Sequence, residues 1–171
     1  NNINNLINNN YLDNNFYIKN KKKINNGSLA CLISHCMLYK KLLNVNGNKF
    51  LIFEDDCEIL PDFLKNLSKY YNYVPKDWDM IWLGHNRLKG KKINKYVLKP
   101  QNNPGVGYNA QHHCYLIKKS SIDKILNILL PVKKFQPKDS ILRNNFDKFN
   151  PYFIIPKLAI QKDNLFKSER V

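Results

Sequence analysis

Glu54, Asp55 and Asp56 follow one another directly behind an apolar run, Phe50 to Phe53. Adjacent carboxylates repel unless a proton or a cation relieves them. A hard divalent ion does so through oxygen ligands and keeps open positions for the oxygens of a diphosphate. Bound to a diphosphate, such an ion also stabilises it as a leaving group. In open α/β sheets, ligands sit outside the carboxyl ends of the strands, and these acids fall at such an end. Successive strand residues face opposite ways, so Glu54 and Asp56 are expected to converge while Asp55 turns elsewhere. On these residues alone, a solvated acidic turn carries equal weight.

The elements that must hold this cluster are read from periodicity. Leu29, Leu32, Ile33, Cys36 and Met37 recur at helical spacing, which predicts a helix opened by Gly27 and capped by Ser28. His35 lies on it and is expected to be a hydrogen-bonded structural residue. Phe50 to Phe53 reads as a short strand buried on both faces of a mostly parallel sheet. Pro61 is expected to start a helix whose inner face carries Phe63, Leu64, Leu67 and Tyr71. Trp78 to Leu83 reads as a strand closed by Gly84, with both tryptophans packed in the core. A polar, basic loop is expected from His85 to about Lys95, and a turn from Asn103 to Gly107. Cys114 to Ile117 is a strand, Ser120 or Ser121 caps a helix that Pro131 ends, and a short helix after Lys138 precedes a strand near Tyr152 to Ile155. Strands alternating with helices predict a single α/β domain.

Composition adds a strong basic balance. Lys+Arg 28 against Asp+Glu 13 gives a net charge of +15, a surface that attracts phosphate in nucleotides, nucleic acid or lipid. The lysines are spread along the chain apart from Lys21 to Lys23, which suits a general field better than a base-reading surface. Asn fills seven of the first ten positions, and residues 1–26 read as a weakly ordered lead-in with one short element near Phe16 to Ile18. The four cysteines match no zinc or redox pattern and are expected as buried free thiols. No apolar run approaches the ~20 residues of a membrane span, and the start has no signal-peptide core.

Three stretches in this order, GSLACLISHCMLYKKLL, FLIFEDDCEILPDF and WDMIWLG, resemble glycosyltransferase family 25. Gly27, Cys31, Ser34 and His35 match its helix signature, Glu54, Asp55 and Asp56 its acidic strand end, and Trp78, Asp79, Leu83 and Gly84 its third motif. HHCYLIKKSSIDKIL aligns His113 and Tyr115 with a further strand, Asp139 aligns with a Pro-x-Asp element, and Gln161 and Ser168 fit a closing pattern loosely. The likeness covers about residues 27–168. It implies a GT-A-like fold with a Rossmann-type mixed sheet flanked by helices, within residues 27–171. It also implies a UDP-sugar donor and Mn²⁺, with Mg²⁺ as the alternative. Asp56 is then the first metal-ligand candidate, with Glu54 and Asp55 beside it. His35 and His113 join these acids as candidates at the donor diphosphate, and packing is an equal reading for His113.

The implied reaction moves a hexose, galactose or glucose, onto an acceptor hydroxyl with inversion, the acceptor being a glycan or a hydroxylysine-type protein. Inversion calls for a base opposite the leaving diphosphate, and Asp139 is the candidate. The family's opening strand and Arg-rich turn have no counterpart in NNINNLINNN. Two other readings therefore stand beside the enzyme. One is a catalytically inactive glycan-binding domain of the same fold. The other is a basic nucleic-acid-binding protein, which the charge favours and the absence of a binding motif does not.

Overall fold

The computed structural model describes residues 3–105, 107–134 and 136–162. Helices α1 (Ile3–Asn8), α2 (Asn14–Asn20) and α3 (Asn26–Leu42) come first. They are followed by β1 (Lys49–Phe53), β2 (Cys57–Ile59), α4 (Phe63–Tyr71), β3 (Met80–Trp82), β4 (Gly90–Lys92), β5 (Val97–Pro100) and β6 (Cys114–Lys118). Helices α5 (Ile122–Leu129) and α6 (Lys138–Arg143) and strands β7 (Pro151–Ile154) and β8 (Ala159–Gln161) complete the α/β domain. Six strands form one mixed sheet in the order β1-β6-β3-β7-β5-β4, and β2 and β8 pair separately.

Alternation along the central strands divides the core in two. Tyr115 and Ile117 of β6, with Met80 and Trp82 of β3 and Phe153 of β7, face α3 and α5 through Leu32, Ile33, Cys36, Ile122 and Ile125. Cys114, Leu116, Ile81, Tyr152 and Ile154 face the other way, towards Phe63 and Trp78. Both tryptophans are core residues, as their surroundings in the sequence suggested; Trp82 stacks on Phe153 with ring centroids 4.9 Å apart.

Several expectations are corrected. The sheet is mostly antiparallel: among the described strands, only β3 and β7 run parallel. Among the described residues the apolar strand β1 is an edge strand paired to β6 alone, and Phe53 is 45% exposed. The N-cap of α3 is Asn25, whose side chain accepts from the Ser28 amide at 2.9 Å. Helix α4 starts two residues after Pro61, behind a left-handed Asp62, and leaves Leu64 75% exposed. Ser121 makes no cap bond; its hydroxyl donates to Asp79 instead. The basic loop contains β4, which pairs with β5 as a hairpin. The Asn-rich segment expected to be weakly ordered forms α1 and α2, and Leu6 and Leu12 are buried in the α3 side of the core. Phe16 to Ile18, where a short helix or strand was expected, lies within α2. The proposed match at Ser168 lies outside the described residues.

Candidate active site

Strand β1 delivers Glu54 to the end of the sheet, where its amide donates to the His113 carbonyl at 2.8 Å. The Glu54 carbonyl accepts from the Cys57 amide at 3.1 Å, so the chain turns at once. That turn ends the strand alternation, and the three acids take separate paths. Glu54 reaches towards α3 and α6, Asp55 is exposed, and Asp56 meets β8.

Glu54 joins a buried polar cluster. Its Oε1 accepts from Lys138 Nζ at 2.7 Å and lies 3.0 Å from His35 Nε2. Lys138 Nζ is also 2.8 Å from that same ring nitrogen. His35 Nδ1 is 2.9 Å from the Tyr115 hydroxyl, which is 2.7 Å from that of Tyr39. Burial pushes the Glu54 carboxyl up, but the charge and hydrogen bond of the Lys138 ammonium draw it down, and the group lies well below its ordinary value. Burial pushes His35 down, with the Lys138 charge acting the same way and Glu54 against it. His35 is therefore the hydrogen-bonded residue its helix position suggested. Among the described residues, Cys31, His35 and Glu54 are the three-residue group whose metal-ligating atoms come within 4.8 Å of one another. An ammonium already contacts two of them.

Asp56 is held differently. Its Oδ2 accepts from the Gln161 side chain and its carbonyl from the Lys162 amide at 2.9 Å, while Oδ1 is buried without a hydrogen-bond partner among the described residues. A buried carboxylate oxygen with no donor is costly unless a cation or another donor answers it. A hard divalent ion is one group that this oxygen fits.

His113 is buried, and its ring lies on Gly84: a Cβ at Gly84 would stand 2.1 Å from His113 Nε2. Only glycine leaves room for the imidazole there. Burial pushes His113 down, while the charges of Glu54 and Asp56 pull it up, so the ring feels both acids. Asp139 occupies the first turn of α6 next to Lys138 and is half-buried. Its charge reaches the Cys31 thiol and the His112 ring. Asp79 precedes β3, at the opposite end of the sheet, where it binds Ser121, Lys124 and the Asn150 amide.

The structure thus gathers Glu54, His35, Tyr115, Tyr39 and Lys138, with Asp56 and Gln161 on the other side of the turn. Lys138 escaped the sequence reading because nothing local marks it among the other lysines; its partner is 84 residues away. Tyr39 left a signal, four residues after His35 on a predicted helix.

Residues 1–142 match the family described as glycosyltransferase family 25 (LPS biosynthesis protein). Procollagen galactosyltransferase 2 of Homo sapiens is 26% identical over 124 residues, 68% of this chain and 20% of the relative. A glycosyltransferase 25 family member of Aedes aegypti is 28% identical over 132 residues, 73% of this chain and 21% of the relative. Procollagen galactosyltransferase 1 of Danio rerio is 25% identical over 130 residues, 74% of this chain and 21% of the relative. The chain spans about a fifth of the length of these relatives.

Proposed function

The chain belongs to glycosyltransferase family 25, and we propose that it transfers a hexose, galactose before glucose, from a UDP-sugar to an acceptor hydroxyl. The names of the relatives favour galactose and a procollagen-like acceptor, and the family's description, LPS biosynthesis, favours a glycan one. The observation that carries the reading is Asp56, a half-buried aspartate with one oxygen held by Gln161 and the other buried without a donor among the described residues.

Asp56 would hold Mn²⁺ or Mg²⁺, with the exposed Asp55 beside it. When bound, the cation would supply charge to the donor diphosphate and ease its departure. Glu54, neutralised by Lys138, would fix the turn rather than bind the ion. His113 would support the turn from below, its backbone carbonyl tied to the Glu54 amide. The lysine-rich surface would draw the anionic donor in. Asp139 would accept the proton of the acceptor hydroxyl as it attacks the anomeric carbon, giving inversion. The transition state would be oxocarbenium-like.

A second reading, a glycan-binding module without catalysis, is favoured by one observation: Lys138 already neutralises Glu54, the first acid of the strand end. The two readings separate by UDP release from a panel of UDP-sugars with Mn²⁺ or EDTA. The transferase reading expects slow metal-dependent release that Asp56→Asn abolishes. No release from any donor, with no Mn²⁺-dependent UDP binding, leaves the glycan-binding module.

A further inference from the structure

The three-way contact of Glu54, His35 and Lys138 has only one consistent count of protons when lysine is charged. An ammonium can only donate, and an ionised carboxylate can only accept. Lys138 Nζ lies within hydrogen-bond distance of both Glu54 Oε1 and His35 Nε2, so the ring nitrogen must accept. The neutral imidazole then carries its proton on Nδ1 and donates it to the Tyr115 hydroxyl. Tyr115 in turn donates to the Tyr39 oxygen. Without the ammonium, His35 Nε2 and Glu54 Oε1 would be two acceptors 3.0 Å apart. Lys138, only 5% exposed, sits on both and removes that repulsion.

We infer that Lys138 is a positioning residue: its ammonium sets the donor direction of the chain Lys138, His35, Tyr115, Tyr39 and clamps the first turn of α6 to the acidic turn. Three elements meet at this one nitrogen: α6 through Lys138, α3 through His35, and the end of β1 through Glu54. Asp139 is the next residue on α6, so the clamp also sets the candidate base relative to Asp56. This role rests on the transferase reading above; the proton arrangement does not.

Removing the ammonium leaves His35 Nε2 to satisfy Glu54 by taking the proton itself. The relay then reverses: His35 donates to Glu54, Tyr115 donates to Nδ1, and Tyr39 donates to Tyr115.

The test uses protein labelled with ¹⁵N-histidine, in the wild type, Lys138→Met and Lys138→Met/Glu54→Gln. The double variant carries no unpaired buried carboxylate and keeps the experiment readable if the single variant fails to fold. Long-range ¹H–¹⁵N spectra should assign the Nδ1–H tautomer to His35 in the wild type and Nε2–H in Lys138→Met. Turnover is measured with Mn²⁺ and the UDP-sugar that the wild type releases fastest. In both variants kcat should fall by about tenfold or more, as for loss of an outer-shell partner, with the donor KM within about threefold of wild type. An Nε2–H tautomer in the wild type overturns the relay. A double variant with wild-type kcat overturns the positioning role, because Lys138 would then only neutralise Glu54. A wild type that releases no sugar and binds no UDP overturns the transferase reading and the positioning role with it, while the spectra still decide the relay.

Discussion

Asp56 and Asp79 are the same residue type at opposite ends of one sheet, and they are treated in opposite ways. Asp79 is saturated: Oδ1 accepts from Ser121, and Oδ2 accepts from Lys124 and from the Asn150 amide, each at 2.8 Å. Burial raises its carboxyl, but the bonds to Lys124, Ser121 and Asn150 more than reverse that and hold it below its ordinary value. It ties the start of β3 to α5 and to the entry of β7. Asp56 has one oxygen held and one buried without a partner among the described residues. A carboxylate with both oxygens answered from within the fold is a structural tie. One left partly unanswered at a strand end is where a ligand is expected.

The largest effect that tests this contrast is on ligand binding. Asp56→Asn should lower Mn²⁺-dependent UDP affinity by at least about a hundredfold, beyond the usual loss for an outer-shell partner, while the melting temperature stays put. Titration calorimetry with and without Mn²⁺ reads the first, and a thermal melt the second. A variant that unfolds instead would make Asp56 a second Asp79.

Asp79→Ala should do the reverse. It strands the Ser121 hydroxyl and the Asn150 amide and should cost about 2 kcal/mol, discounted because Lys124 is partly exposed. Denaturant unfolding measures that loss, and turnover per folded molecule should be retained. Loss of turnover at unchanged stability would break the comparison from the other side.

Gly84→Ala should cost about 1.5 kcal/mol through overpacking, since the new methyl would meet His113 Nε2 at 2.1 Å. The same unfolding measurement checks it, and a neutral result would mean that the His113 ring is free to move away.

The smallest effect is acid sensitivity. The folded carboxyl of Glu54 sits at about 2 against an ordinary 4.5, so its stabilisation is present above the higher value. It fades as pH falls from there towards about 2. Across that window the wild-type melting temperature should drop more steeply than that of Glu54→Gln. Parallel profiles would show that Glu54 contributes no such linkage.

Where side-chain pattern and burial agree, the sequence was readable. Helices α3 and α5 and strands β3 and β6 carry apolar residues at their own period, and each appears where expected. β4 was missed because Gly90–Lys92 lies exposed at the sheet edge and carries no apolar signal. β2 and β8 are three residues each and exist by pairing with one another. α1 and α2 were hidden by asparagine, a weak helix former, although Ile3, Leu6 and Ile7 stand at helical spacing. Tertiary contact decided the matter, with Leu6 and Leu12 buried against the core. The acidic turn was legible as a place, but the fate of each acid was not. Glu54 and Asp56 part because the chain turns at Cys57, and their partners Lys138 and Gln161 are distant in sequence. Such pairings are created by the fold and leave no local mark.

The bond between Gln161 and Asp56 spans 105 residues, and β8 brings it about by pairing with β2, the strand directly behind the acidic turn. Such a contact is non-local, and its loop-closure cost grows only slowly with the length of chain it encloses. The acid and the amide that holds it therefore lie far apart along the chain, and the bond between them exists only where β8, the last described strand, is docked on β2.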